Sequence, residues 1–137
     1  MTGHTTRFED LAAAFRVHAK GLLAAEAAVD LLIGHRLWLY RDDFLDIAVE
    51  PGWEVFGGRE TAAVDFRAAV GALEAGVLPC AGSEGRMLRL AASIAAGVPV
   101  DLGDAVSGLD EANAGLVAAA VLHAAGHGDL MVRRDAR

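Results

Sequence analysis

The sequence predicts an all-α domain, or a mainly α domain with one short β-hairpin. Of the 137 residues, 54% are hydrophobic but only 6% are aromatic, so alanine supplies much of the apolar content and favours helices. Apolar residues recur at helical spacing in several segments, and 16 glycines punctuate those segments. This length suits one domain. We therefore expect a single four- to five-helix orthogonal bundle over residues 1–137, with a long N-terminal helix.

The long N-terminal helix is predicted by a start signal and an apolar stripe. Thr6 and Glu9 form the S/T-x-x-E pattern of a capping box, and residues 1–5 before it are expected to be a loose tail. Gly21 permits a bend, and Gly34 is the predicted stop. The stripe consists of Phe8, Leu11, Phe15, Leu22, Val29 and Ile33.

The aromatic stretch 35–53 has two interpretations. Asp42 or Asp43 can start a short helix that carries Phe44, with the turn at 50–52 as its end. Alternatively, a short strand around 46–49 pairs with residues 55–56 or 62–64 across Gly57-Gly58. We favour the helix and allow one small hairpin near 54–64.

The second half of the chain contains further helices with clear boundaries. Predicted N-caps are Asp65, Ser83 and Asp110, and a short helical turn lies between Asp101 and Asp104. The glycines that end the three longer helices are Gly76, Gly97 and Gly126. We interpret the stretch 78–126 as the packing centre, and residues 128–137 as a loose tail.

Three strings in this half carry a family resemblance. They are L-P-C-x-G-x-E-x-x-M-L-R-L-A-A-S, G-V-P-V-D-L-x-D-A-V-x-G-L-D-x-x-N and A-V-L-H-A-A-G. Together they resemble a family of small proteins of unknown function from high-GC actinobacteria. The resemblance covers about residues 63–126, with a similar aromatic segment at 38–44. It implies no activity.

The sharpest chemical motif is C-x5-R, from Cys80 to Arg86. This is the spacing of the phosphate loop in cysteine-dependent phosphatases, where a helix start binds an anion and lowers the thiol pKa. Glu84 would place a carboxylate inside that loop, and only residues 77–78 are available as the preceding strand. We therefore prefer a packed cysteine with a solvated Arg86.

Two further patterns are weaker site candidates. His123 and His127 are spaced i,i+4 with Asp129 nearby, but Gly126 interrupts the helix between the histidines, and no third ligand is evident. Gly115 and Ala119 form a G-x-x-x-A pattern, which indicates close helix contact, either internal or across a two-fold dimer axis.

The aromatic segment is the predicted interaction surface. Aromatic side chains and arginine anchor protein interfaces when they are exposed. The acidic residues Asp42, Asp43, Asp46 and Glu50 are interpreted as a solvated helix start. The residues expected to form the surface are Trp38, Tyr40, Arg41, Phe44 and Trp53.

Charge and cysteine content limit the function classes. A net charge of −7 with a single lysine argues against a stand-alone nucleic-acid-binding protein, which needs a basic face. One cysteine allows no internal disulfide, and no signal peptide or membrane span is expected, so we predict a cytoplasmic protein.

We therefore predict a non-enzymatic helical interaction or regulatory module that self-associates as a homodimer and needs no cofactor. The alternative is a cysteine-dependent phosphatase-like enzyme that uses Cys80 and Arg86. A third class is nucleic-acid binding within a complex. Its candidate contacts are Arg36, Arg41, Arg59, Arg133, Arg134 and Arg137.

Overall fold

The computed structural model describes residues 4–50, 54–56 and 59–130, and it describes side chains for residues 7–50 and 61–130. This part of the chain is mainly helical. Its α-helices are α1 (His4–Ala19), α2 (Leu23–His35), α3 (Asp42–Ala48), α4 (Phe66–Glu74), α5 (Gly82–Ala96), α6 (Leu102–Val106) and α7 (Glu111–Ala124). A 3-10 turn covers Leu37–Tyr40, and the strands are β1 (Glu54–Phe56) and β2 (Arg59–Thr61).

The N-terminal stretch folds as two helices, which corrects the prediction of one long helix. The chain turns at residues 20–22, where Gly21 has a φ of +94° that helical residues do not adopt. The Glu26 carboxylate accepts the Gly21 N–H at 2.9 Å and fixes the turn. α1 and α2 then pack against each other. With this break, and with the turn after Asp101 forming the short helix α6, the described residues contain seven α-helices, more than the four or five expected.

The start of α1 and the end of α2 also differ from the predicted caps. α1 already includes His4, so Thr6 lies within the helix. α2 continues through Gly34, and Arg36 after it has a positive φ of 73°. Gly34 serves helix contact instead: a Cβ there would lie 2.6 Å from Leu116 Cδ2 on α7. The glycine therefore allows α7 to approach α2 closely.

The aromatic stretch forms the 3-10 turn and α3, followed by a short strand pair. α3 carries Phe44, as the favoured interpretation predicts. β1 pairs antiparallel with β2, with Glu54 opposite Thr61. An isolated bridge joins Val49 to Val64. These pairings connect the end of α3 to the start of α4.

Aspartates start three of the later helices. Asp65 accepts the Ala68 N–H, Asp101 that of Asp104, and Asp110 that of Asn113. Each carboxylate satisfies one of the amides that a helix start leaves without a partner. α5 departs from this pattern and corrects the predicted Ser83 cap, because Ser83 lies inside the helix.

One cluster of buried residues unites the helices, and α2 lies at its centre. α2 packs against α1, α5 and α7, while α4 packs against α5 and α3. The N-terminal helix α2 therefore packs mainly on α5 and α7, which belong to the stretch 78–126. The largest fully buried side chains are Trp38, Phe15, Phe44, Leu31, Leu32, Leu39, Leu78, Met87 and Leu88. None of the helices in the described residues has the length and apolar character of a membrane-spanning helix.

Candidate functional site

The Cys80–Arg86 motif lies in the connection to α5 and at its first turns. Within the described residues, the segment 77–81 forms no strand, so the strand–loop–helix setting of a phosphate loop is not present there. Cys80 is half-buried. Burial raises the pKa of the Cys80 thiol above its ordinary value of 9.0, and the nearby Glu84 carboxylate raises it further. The thiol is therefore protonated at neutral pH and is a poor nucleophile.

The other two groups of the motif also point away from phosphate chemistry. Glu84 accepts the Ala81 N–H at 2.7 Å, which places a carboxylate against an amide of the loop. An anionic ligand would be repelled by this carboxylate. Arg86 donates to the Ser107 carbonyl at 3.1 Å and ties α5 to the turn after α6. In this motif Glu84 therefore caps the start of α5 and Arg86 links α5 to the turn after α6, and these contacts do not form a binding site for an anion.

A groove of about 600 Å³ nevertheless runs beside this motif. Its lining includes Cys80, Arg86 and Arg89 together with Asp101 and Asp104. Arg89 also contacts Glu74 at 3.1 Å. The lining therefore mixes both charge signs with apolar side chains and favours no single class of ligand.

The histidine candidates do not converge on a metal site. His123 contacts the Glu26 carboxylate on α2 at 2.7 Å, across 97 positions of sequence. His127 lies beyond the end of α7, on an exposed turn. Among the described residues, no group of three or more His, Cys, Asp or Glu side chains is arranged to hold a metal. Of the candidates His123, His127 and Asp129, the structure thus pairs His123 with Glu26 and brings no third ligand to the two histidines within the described residues.

Glu26 is a structural residue for which the sequence gives no local signal. Its carboxylate accepts the Gly21 N–H and contacts His123, so it joins the α1–α2 turn to α7. The Gly21 N–H is the largest cause that holds the Glu26 pKa below its ordinary value of 4.5, and the His123 hydrogen bond is the second. No local sequence signal pairs Glu26 with a residue so far along the chain.

Two of the five residues of the predicted interaction surface, Trp38 and Phe44, lie in the core. Trp38 and Phe44 are both 0% exposed and pack against each other with ring centroids 5.5 Å apart. The Trp38 indole N–H donates to the Glu84 carbonyl at 3.1 Å, which satisfies its polar group. Trp53 lies outside the described residues. Trp38 and Phe44 are therefore core residues, because burying large aromatic rings stabilises the fold more than exposing them.

Arg41 makes contacts within its own chain. Its guanidinium binds the Asp43 carboxylate through two nitrogens and donates to the Pro79 carbonyl at 2.6 Å. It also lies 4.9 Å from the Trp38 ring centroid. The bound guanidinium holds the Asp43 pKa below its ordinary value. Arg41 thus joins α3 to the segment before α5.

Tyr40 is the exposed remainder of the predicted surface. It is 36% exposed and stacks on Phe8 with ring centroids 4.9 Å apart. Arg36 lies over the Phe8 ring and donates to the Tyr40 hydroxyl at 2.7 Å. Among the arginines predicted to contact nucleic acid, the structure describes the side chains of Arg36 and Arg41. Both contact their own chain.

α7 carries exposed apolar surface, which the sequence indicates only by its G-x-x-x-A pattern. This helix is apolar around its circumference, yet only Val117 and Ala120 are buried. Gly115 and Ala119 are exposed, and a Cβ at Gly115 would meet nothing within 4 Å. The side of α7 turned away from α2, called here the α7 outer face, consists of Ala114, Gly115, Ala118, Val121, Leu122 and Ala125.

Comparison with protein-family models, with curated proteins and with solved structures finds no match to this chain. The resemblance to an actinobacterial family therefore stays a prediction. The function of this chain is accordingly inferred from the geometry of its described residues.

Proposed function

We propose that this protein is a non-enzymatic helical interaction module that self-associates as a homodimer. The observation that carries the proposal is the exposed apolar surface of α7. Helices that are apolar on all sides are normally covered on all sides, because exposed apolar area costs free energy. A contiguous apolar patch on a folded domain marks a site of association.

The α7 outer face suits contact with another helix. Val121 is 54% exposed, and alanines and a glycine surround it. Small side chains let two helix axes approach closely, to about 8 Å. No charged side chain interrupts this face between Glu111 and His123. These features replace the aromatic segment 37–53 as the proposed contact surface.

The phosphatase alternative has less support, because the Cys80 thiol is protonated and Glu84 lies against the loop. We expect iodoacetamide to alkylate Cys80 at pH 7.5 more slowly than it alkylates free glutathione, in agreement with the raised thiol pKa. Rapid alkylation together with turnover of an aryl phosphate that Cys80→Ser abolishes would instead favour the enzyme. A free, half-buried thiol is also consistent with the cytoplasmic location that we propose.

The proposal is tested by the solution mass of two matched variants. Val121→Lys places a charge in the α7 outer face. Val77→Lys places the same charge on a valine of similar exposure, 56% against 54%, in the segment between α4 and α5. Light scattering should give a dimer mass for the wild type and Val77→Lys, and a monomer mass for Val121→Lys. Equal masses for the two variants would remove the α7 outer face as the contact.

A further inference from the structure

We propose that His35 is a proton-sensitive switch: when its ring takes up a proton in mild acid, the end of α2 loosens from the starts of α5 and α7. Three observations support this proposal, namely the burial of one ring nitrogen, the place of His35 in the fold and the strained residue that follows it. The switch does not depend on the self-association proposed above.

The Nδ1 atom of the His35 ring is buried and has no hydrogen-bond partner among the described residues. In that part of the chain, no other side-chain nitrogen or oxygen has both properties. A neutral imidazole carries a proton on one of its nitrogens, whereas the charged ring carries a proton on both. Proton uptake therefore produces a charged ring with a buried N–H donor that has no acceptor, which costs free energy.

His35 lies where three helices meet. It is the last residue of α2, which packs against α5 and α7. The residue before it, Gly34, allows α7 to approach, since an added Cβ would lie 2.6 Å from Leu116. After it, the Trp38 indole N–H donates to the Glu84 carbonyl at the start of α5. A shift at His35 therefore disturbs the contacts of α2 with both helices.

Two carboxylates act on the ring from the helices packed against α2. Glu84 in the first turn of α5 and Asp110 before α7 both raise the pKa of His35, but desolvation by burial is the larger effect and lowers that pKa below its ordinary value of 6.5. Both carboxylates already cap helices, because Glu84 accepts the Ala81 N–H and Asp110 accepts the Asn113 N–H, each at 2.7 Å. Among the described side chains of α1, no charge acts on the ring. The neutral ring is therefore the form that fits this junction.

Arg36, the next residue, adds strain to the end of α2. Its φ is 73°, and among the described residues no other residue except glycine has a positive φ. Residues with a side chain rarely adopt this conformation, because it costs free energy. The Arg36 guanidinium lies over the Phe8 ring and donates to the Tyr40 hydroxyl, so contacts outside α5 and α7 hold this conformation. The strain lies directly beside the ring that loses its fit when it is protonated.

Nuclear magnetic resonance of the ring tests proton uptake. The ring resonances of His35 are identified by their loss in His35→Gln and are followed in the wild type from pH 8 to pH 5. We expect a midpoint below 6.5, the ordinary pKa of histidine. A midpoint at or above 6.5 would overturn the switch, because the folded junction would then favour the charged ring.

Urea denaturation over the same pH range, at low protein concentration, measures the cost of proton uptake. Below pH 6.5 the unfolded chain binds a proton at His35 more readily than the folded chain, so stability falls as the pH decreases. For one proton, the unfolding constant rises by up to about tenfold per pH unit. His35→Gln should lack this part of the rise, whereas His127→Gln, which removes an exposed histidine, should retain it. The same pH dependence in both variants would contradict the role of His35.

Acrylamide quenching of Trp38 fluorescence tests the loosening itself. The chain has two tryptophans, so a Trp53→Phe background leaves Trp38 as the single fluorophore of this kind. Trp38 is 0% exposed and is bonded to the start of α5, so acrylamide should reach it only when the junction opens. Quenching should increase from pH 7.5 to pH 5.5 while the far-ultraviolet circular dichroism of the helices is unchanged. The increase should be absent when His35→Gln is added.

The outcomes separate a switch from a buried histidine that moves nothing. Proton uptake at His35 with unchanged Trp38 quenching would overturn the switch. An increase in quenching that persists in His35→Gln would assign the opening to another group and would also overturn it.

Discussion

α5 and α7 are similar in length and both alanine-rich, but the fold uses them differently. α5 has 15 residues and buries six of them, whereas α7 has 14 residues and buries two. α5 packs against α2 and α4 and contacts α6, while α7 packs mainly against α2. The difference therefore lies in the number of neighbouring helices and not in the apolar content.

The polar residues of the two helices show the same contrast. Arg86 and Arg89 project from α5 to the Ser107 carbonyl and the Glu74 carboxylate, so its side away from the core is polar and tied to neighbours. The middle of α7, between Asn113 and His123, has no polar side chain at all. A helix that is apolar on both sides, but is covered by other helices on only one side, has an apolar face on which another protein can pack.

The largest contrast is expected from removing an apolar side chain from each helix. Leu88→Ala should lower the free energy of unfolding by about 2–5 kcal/mol, because Leu88 is fully buried on α5. Val121→Ala should change it by about 0.5 kcal/mol or less when the protein is measured as a dilute monomer. Urea denaturation at low protein concentration measures both. Equal losses would show that α7 is as well covered as α5.

Two glycine substitutions test how closely α7 approaches α2. Gly71→Ala should stabilise the fold by about 0.5–1 kcal/mol, because alanine favours helix and a Cβ there meets nothing within 4 Å. The stabilisation from Gly34→Ala should be smaller than that from Gly71→Ala by about 1 kcal/mol or more, because the added Cβ forces the Leu116 side chain to move. Thermal denaturation of the two variants provides the comparison. An equal gain at both positions would contradict the close contact.

The N-cap of α7 gives an effect of similar or smaller size. Asp110→Ala should cost about 1 kcal/mol, because the Asn113 N–H loses its acceptor. Asp110→Asn should retain most of the stability, since asparagine is an equally good cap. Urea denaturation separates the two variants, and a loss of the same size in both would point to the charge and not to the hydrogen bond.

Glu26 gives the smallest effect, and it depends on pH. A lowered pKa means that the folded state favours the ionised Glu26 carboxylate. The carboxylate therefore contributes to the free energy of unfolding above pH 4.5, its ordinary pKa. This contribution is lost as the pH falls through the lower pKa of the folded state. The stability difference between the wild type and Glu26→Gln should therefore be largest near neutral pH and shrink in acid. Denaturation from pH 7 to pH 3 measures it, and a difference independent of pH would contradict the assignment.

Local rules were enough to predict many of the element boundaries. The Asp65 and Asp110 caps follow from side-chain chemistry within three residues, and Gly97 ends α5 in the left-handed conformation. The break at Gly21 was not resolved, because the same apolar stripe fits one long helix or two helices folded onto one core. The choice depends on Glu26, whose partner on α7 is remote in sequence.

The candidate sites were harder to predict than the fold. Aromatic content indicated a surface at residues 37–53, but tertiary packing places Trp38 and Phe44 in the core. The G-x-x-x-A pattern at Gly115 indicated close helix contact without showing which neighbour provides it. Composition cannot reveal which side of a uniformly apolar helix the other helices cover.

The proposed function depends on association of the α7 outer face with a second copy of the chain. Sedimentation equilibrium of the wild type, from micromolar to millimolar concentration, measures that association without any substitution. We expect a mass that rises with concentration from 14.2 kDa towards twice that value. A mass that stays at 14.2 kDa over the whole range would contradict self-association.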